Sequence, residues 1–309
     1  MTGKKQSLMT APVLASRFPV FAPSIRQGKM DWHVKTKWGT AFVTGDITQI
    51  HRGILDAIFA HAIDSKVLNT GAIEILFDPF VITKVTHSSR DYQWLAGRDN
   101  SIFRDMQVAI VEIVEKNGNR HVGGIISEWR ESKRRASMPG GVLTGDRALL
   151  AVTISAAWMR LYNSTLTVDY RDLIPAISSL KSGVLQALVR FCLTHRNMNM
   201  QLDDILGYIG AVDETTQERT IQRVIKAVCE ADLSKFGIQV KNRIVFYKQH
   251  ASVRFKNRVA DTTCAGSDAN CAANDTTCAG IQEFQELQEL LKHKDQAQHL
   301  RPHHNRQGL

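Results

Sequence analysis

The sequence predicts an α+β fold that is mainly helical, because two stretches share one order of elements. The clearer stretch, residues 178–248, reads as a helix, a short second helix, a turn, a longer basic helix and a β-hairpin. That order is typical of a winged helix-turn-helix. A weaker copy lies at residues 88–130. We therefore expect two tandem winged helix-turn-helix domains with flexible N- and C-terminal tails.

The chain of 309 residues is long enough for two domains of ordinary size plus tails. Changes in composition and periodicity divide it into five predicted parts. They are a flexible N-terminal arm at 1–28, a first winged-helix domain at 29–140, a second winged-helix DNA-binding domain at 146–250, a low-complexity linker at 251–280, and an amphipathic helix with a polar tail at 281–309.

Within the first domain, the pattern predicts a hairpin around Trp38-Gly39 and then a helix that begins after Asp46. A short helix over 88–97 and a second helix capped by Asn100 follow. The next hairpin turns at Asn117-Gly118, a pair typical of the type I′ turn. This hairpin is the predicted wing of the first domain.

The long helix of the second domain has two contrasting faces. Its apolar residues recur at helical spacing, namely Ile221, Val224, Ile225 and Val228. Arg219, Arg223 and Lys226 point the opposite way, as a helix that enters a DNA groove requires. A solvated surface helix has the same pattern, but the preceding short helix and the following hairpin favour DNA.

The charge balance also favours a polyanionic partner. Lys and Arg number 39 against 30 Asp and Glu, which gives a net charge of +9. Such a field attracts phosphates, although a basic soluble protein without such a partner has the same balance. No apolar run reaches the roughly 18 residues of a membrane span. We expect a cytoplasmic protein with no membrane partner.

Three seven-residue repeats containing Cys264, Cys271 and Cys278 occupy residues 261–281. Thr, Asp and Asn stand where a coiled coil needs large apolar residues, so we interpret the repeats as a flexible linker. The cysteine spacing does not match a zinc site. A phosphate-binding loop and a His-x-His pair with a nucleophilic Tyr are also absent from the sequence. We therefore expect no enzyme activity, cofactor or metal.

Taken in order, the runs SGVLQALVRFCLTH, LDDILGYIG and ERTIQRVIKAVCEADLSKFGI resemble the DNA-binding region of plasmid replication initiators of the TrfA-like and RepC-like kind. The resemblance extends over about residues 46–248 and includes SSRDYQWLAG and the NGNRHVGGIISEW hairpin. It implies that two winged-helix domains bind repeated origin sequences, called iterons, in double-stranded DNA. It also implies local duplex opening, recruitment of the host initiator, helicase and sliding clamp, and inactive homodimers that control plasmid copy number.

The candidate DNA contacts follow from their predicted positions. In the second domain they are Gln217, Arg219, Thr220, Gln222, Arg223 and Lys226 on the long helix, and Lys241, Asn242 and Arg243 at the hairpin tip. In the first domain they are Arg98, Asn100, Ser101 and Arg104, with Asn117, Asn119, Arg120 and His121 in the wing. The run Lys133, Arg134 and Arg135 either attracts phosphates or forms a solvated loop.

Two other functions fit the same sequence. A transcriptional repressor or partition regulator uses the same modules to bind an operator without opening an origin. A nickase or recombinase would need a catalytic site that the sequence does not reveal. A weak clamp-binding motif, Gln6–Met9, lies on the predicted N-terminal arm.

Overall fold

The computed structural model describes residues 8, 10–24, 31–88, 92–97, 101–136, 147–164 and 166–256, which belong to the compact unit Met1–Ala260. The fold is α+β with four antiparallel sheets. The prediction of a mainly helical fold is wrong, because strands and helices contribute comparable shares. The strands that we missed include the second half of an eleven-residue strand, which contains the basic run at 133–135.

The helices and strands follow one another along the whole described chain. The strands are β1 (Ala11–Pro12), β2 (Asp31–Thr36), β3 (Gly39–Thr44), β4 (Asp64–Val67), β5 (Ile73–Phe77), β6 (Ile110–Glu115), β7 (Arg120–Gly123), β8 (Ile126–Ala136), β9 (Arg147–Ile154), β10 (Thr167–Asp169), β11 (Asn197–Gln201), β12 (Ile238–Lys241), β13 (Ile244–Lys248) and β14 (Arg254–Lys256). The helices are α1 (Leu14–Arg17), α2 (Gln49–Ala60), α3 (Pro79–Val85), α4 (Tyr92–Ala96), α5 (Ile102–Val108), α6 (Ala156–Ser164), α7 (Ile174–Ser178), α8 (Gly183–Cys192), α9 (Leu202–Tyr208) and α10 (Glu218–Cys229).

Each sheet joins strands that are distant in sequence or separated by helices. The strand orders are β2-β3-β6-β7, β4-β5-β9-β8, β11-β13-β12 and β1-β10-β14. Strand β9 begins just after the predicted boundary between the domains, yet it pairs with β5 and β8. The last of the four sheets pairs N-terminal β1 with β10, which also pairs with β14.

The N-terminal segment over residues 10–24 is not the flexible arm that we predicted. Phe18 and Val20 are fully buried in the main core, and Thr10 donates from Oγ1 to Asp169 at 2.6 Å. Leu8 also packs against this core, and its carbonyl accepts a hydrogen bond from Arg171. Most of the clamp-binding motif lies outside the described residues. Apolar residues spaced irregularly along 10–24 explain why periodicity did not reveal this packing.

A buried cluster of charges joins the α2 region to the second predicted domain. Asp56 on α2 accepts from Arg52 Nε at 2.8 Å and from Arg190 Nε, on α8, at 2.9 Å. Tyr170 Oη donates to the same carboxylate at 2.8 Å, and burial is the main cause that raises the pKa of Tyr170 to about 12. All four side chains are nearly inaccessible to solvent. This cluster fixes α2 against α8, because separating the helices would leave buried charges unpaired.

The turn of the β2–β3 hairpin makes a second contact with the C-terminal domain. Its Trp38 ring lies 5.8 Å from that of Phe191 on α8 and 5.2 Å from that of Tyr208 on α9, between ring centroids. His195, just after α8, packs against the same Trp38. The first and second regions therefore share one continuous core rather than two separate ones.

The turn predicted at Asn117-Gly118 differs from its expected geometry. The β6–β7 hairpin forms at the predicted turn, but its predicted second strand, 121–130, is divided: β7 pairs with β6, whereas 126–130 belong to β8 and pair with β9. Positive φ falls on Gly118 alone among the residues of the turn. Its turn is therefore not type I′, which requires positive φ at two successive residues. The β12–β13 hairpin meets that requirement instead, with φ of 50° at Asn242 and 61° at Arg243.

Candidate nucleic-acid interface

Helix α10 is amphipathic in the way that the sequence predicts. Ile225 and Val228 are buried, while Ile221 and Val224 are half-buried against the same core. The candidate contacts all lie exposed on the other side, namely Gln217, Arg219, Thr220, Gln222, Arg223 and Lys226. Lys226 is 3.8 Å from Glu230, whereas Arg219 and Arg223 form no ion pair among the described residues. The two arginines are therefore free to meet an external anion.

Helix α10 and the elements around it form one module. Its order is α8, β11, α9, α10 and the β12–β13 hairpin, with β13 between β11 and β12 in the sheet. The sequence interpretation missed β11. Its sequence, NMNMQ, alternates polar residues with methionines, and Met198 is buried while Asn197 and Asn199 are exposed. This alternation of period two is the signal that could have revealed the strand.

The tip of the β12–β13 hairpin lies against both helices of the pair. Arg243 donates from Nη2 to Oε1 of Gln222 on α10 at 3.0 Å, and Nη1 is 3.9 Å from Asp203 on α9. Its carbonyl accepts from the Leu202 N–H at 2.7 Å. These contacts bring Arg243 and Gln222 together on one surface. Lys241 and Asn242 are exposed beside them.

In the first region, the predicted contacts differ in their exposure to solvent. Ser101 is fully buried as the N-cap of α5; it accepts from the Arg104 N–H and donates to the Gly97 carbonyl at 2.8 Å. Its hydroxyl is thus used inside the chain. Arg104 is exposed on α5 and donates to Gln107 Oε1 at 3.0 Å. Arg98 and Asn100 lie outside the described residues.

The β6–β7 hairpin carries the other predicted contacts of this region. Asn119 and Arg120 are exposed, and Arg120 donates from Nε to Glu112 at 2.8 Å. His121 pairs with Glu115 at 3.0 Å. This hairpin extends the β2–β3 sheet. The α4–α5 pair is instead attached to β8, through hydrogen bonds from Trp129 Nε1 to the Ala96 carbonyl and from Gln107 to the Ser127 carbonyl.

The sheet behind α4 and α5 repeats the strand order of the second module. In both sheets, the strand that precedes the helix pair in sequence is hydrogen-bonded to the last strand of the module. The last strand is also paired with the strand just before it in sequence, which lies at the edge of the sheet. The strand orders are β5-β9-β8 and β11-β13-β12. By this order, the β8–β9 hairpin corresponds to β12–β13, and β6–β7 is an insertion. The sequence could not reveal this match, because β5 and β9 are about 75 residues apart and pair only in the folded chain.

Strand β8 is strongly basic. Arg130 reaches Glu74 at 2.6 Å and Arg134 reaches Asp64 at 2.8 Å, so two of its cations are paired across the sheet. Lys133 and Arg135 are exposed and have no ion pair within the described part of the chain. A bulge between Glu131 and Arg135 twists this end of the strand. On the described part of this hairpin, Lys133 and Arg135 are therefore cations that are free to meet an external anion.

Two further properties bear on function. Across the residues that the structure describes, no three His, Cys, Asp or Glu side chains are grouped as metal ligands. Over the same residues, no helix combines the length and apolar character needed to cross a membrane. The cysteine repeats and the predicted C-terminal helix lie in 257–309, outside the described residues, whereas 254–256 of the predicted linker form β14.

Comparisons with known proteins give little similarity. No family model matches the chain, and no curated protein matches it. Among solved structures, a crystal structure of selenomethionine derivatives of domains 2 and 3 of RctB is similar in part. The TM-score is 0.43 and the sequence identity 11%, over 80% of this chain and 96% of that chain.

Proposed function

We propose that this protein is a plasmid replication initiator that binds repeated origin DNA, promotes local opening of the duplex and recruits host replication proteins. The observation that carries the proposal is the exposed arginine face of α10 within its module of helices and hairpin. The order of α8, β11, α9, α10 and hairpin is that of a winged helix-turn-helix. In such a module the second helix of the helix-turn-helix, here α10, enters the major groove. The resemblance over residues 46–248 supports the same function.

In this proposal, α10 reads bases and the hairpins contact phosphates. Arg219 and Arg223 are long enough to grip guanine in two places. Gln222 accepts from Arg243 and donates to Glu218, and it reads adenine by exchanging these two contacts for the base. The first region adds α5 and the β8–β9 hairpin through Arg104, Lys133 and Arg135. Two blocks of major groove about 10 base pairs apart lie on one face of a duplex, so a monomer can read about two turns.

A selection of binding sites from random duplex DNA, repeated across salt concentrations, tests the proposal. We expect one asymmetric site of about two turns, bound by a monomer. A palindrome bound by a dimer would favour the repressor. Permanganate reactivity of AT-rich DNA beside the site then separates an initiator, which opens the duplex, from a repressor, which does not.

The variant Arg223→Ala tests the base-reading role. We expect a loss of about 1–3 kcal/mol in binding to the selected site and a much smaller loss on random DNA. Arg196→Ala, at an exposed position between α8 and β11, is the matched control for loss of one positive charge. Equal losses on both DNAs would assign Arg223 to phosphate contact instead.

A further inference from the structure

An open groove of about 800 Å³ lies beside the outer strand of the β2-β3-β6-β7 sheet. Five consecutive residues of β2, from Asp31 to Lys35, line one wall. Consecutive side chains of a strand point to opposite faces, so a groove lined by five in a row follows the edge of the strand. The other wall is α9 and the turn that follows it.

Among the described residues, no strand covers the β2 edge that faces this groove. Within the described residues, β2 pairs with β3 on one side and with no strand on the other. His33 pairs with Phe42 three places from Thr36–Gly39, the hydrogen-bonded pair that closes the two-residue turn, so the alternation of an antiparallel ladder makes His33–Phe42 a non-hydrogen-bonded pair. The N–H and C=O of His33 therefore point away from β3. An exposed edge of this kind is a template for another strand.

The charge of the groove is opposite to that of the whole chain. Five carboxylates line it against one lysine, although the chain carries a net charge of +9. The carboxylates are Asp31, Asp203, Asp204, Asp213 and Glu214. Such a groove repels a phosphate backbone and attracts basic side chains.

On the wall opposite β2, two of the four carboxylates are available to an external partner. Asp213 accepts from Thr215 and Thr216 and so holds its own turn, and Asp203 faces Arg243. Asp204 and Glu214 are exposed and form no hydrogen bond or ion pair among the described residues. They lie on the wall opposite β2, where side chains of an added strand would reach them.

The two walls of the groove meet where Gly210 lies against the ring of Trp32, since a Cβ there would come within 3.1 Å of that ring. Its volume of about 800 Å³ gives room for a peptide of several residues, because pockets of about 300–1,000 Å³ hold drug-sized ligands.

We propose that this groove binds an extended, basic peptide segment of a partner protein. The peptide adds to β2 as a further strand, which supplies main-chain hydrogen bonds, and Asp204 and Glu214 select its lysine or arginine side chains. The groove adjoins the proposed DNA-binding face at Asp203, which lies 3.9 Å from Arg243, but the peptide proposal does not depend on the proposed function.

The probe is a fluorescein-labelled octapeptide of alternating lysine and valine, added to the full chain and followed by fluorescence anisotropy. We expect saturable binding, and a loss of about tenfold or more in D204K/E214K, since reversing charges replaces attraction by repulsion. The matched control E128K/E131K makes the same charge change on β8 and should bind as the unaltered chain does. Circular dichroism checks that each variant is folded.

Hydrogen exchange distinguishes strand addition from attraction by charge alone. We expect the peptide to slow exchange at the His33 amide, and His33→Pro to abolish binding while the β2–β3 pairing persists. No binding of the lysine–valine peptide, equal binding of a glutamate–valine peptide, or unchanged exchange along β2 would each overturn the proposal. Self-association of the chain that D204K/E214K abolishes would assign the groove to a second copy and overturn it too.

Discussion

The two regions of this molecule share a strand order but distribute their charge differently. The second module has a twelve-residue helix, α10, with a free arginine face and a short hairpin whose Arg243 is bound to both helices. The first has a seven-residue helix, α5, and an eleven-residue basic strand, β8. One topology can thus favour base reading through a helix in one copy and phosphate contact through a hairpin in the other.

The proposed joint binding of one DNA site requires a fixed geometry between the two regions, to which the Asp56 cluster contributes together with the Trp38 contact. Asp56→Ala should lower the free energy of unfolding by about 3–5 kcal/mol, because Arg52 and Arg190 would be buried without their anion. We expect urea unfolding to remain a single transition, followed in parallel by circular dichroism and tryptophan fluorescence.

Asp64→Ala is the control for this prediction, because it breaks the exposed pair with Arg134 and should cost under about 1 kcal/mol. If Asp56→Ala instead gives two separate transitions, the regions fold independently. The fixed spacing of their DNA contacts would then fail. Should Asp56→Ala not express, Asp56→Asn keeps the shape and should show the same trend.

A weaker effect is expected at the second contact between the regions. Burial, with a contribution from Arg17, lowers the pKa of His195 to about 4. The unfolded chain protonates this histidine below about pH 6.5, the folded chain only below about 4, so stability falls as the pH drops through this range. The loss reaches up to about 3 kcal/mol at about 1.36 kcal/mol for each pKa unit.

The measurement is the free energy of unfolding of the unaltered chain and of His195→Gln between about pH 7 and pH 4. The variant keeps a side-chain N–H for the Phe191 carbonyl but cannot titrate. Its stability should fall less than that of the unaltered chain over this range. Parallel curves would show that the pKa of His195 is the same in the folded and unfolded chain, which would contradict the prediction.

Sequence periodicity was enough to predict α10 and its faces, because a helical stripe is visible in residues that are close along the chain. It also predicted the β2–β3 and β6–β7 hairpins, whose pairing is local. It failed for residues 131–136 of β8, where consecutive charged side chains obscure a strand that pairing with β9 stabilises. The role of Ser101 was missed for a different reason, since a serine before a helix can cap it or contact DNA.

The smallest expected effect tests which hairpin of the first region, β8–β9 or β6–β7, acts as its wing. K133A/R135A should reduce the slope of log binding constant against log salt by about 0.9 for each phosphate that the variant no longer neutralises, with little change in sequence preference. R120A/H121A, in the β6–β7 hairpin, is the comparison double variant and should leave the slope unchanged, because Arg120 already pairs with Glu112 and His121 is hydrogen-bonded to Glu115. A reversed result would make β6–β7 the wing and would show that strand order alone does not identify the DNA-binding hairpin.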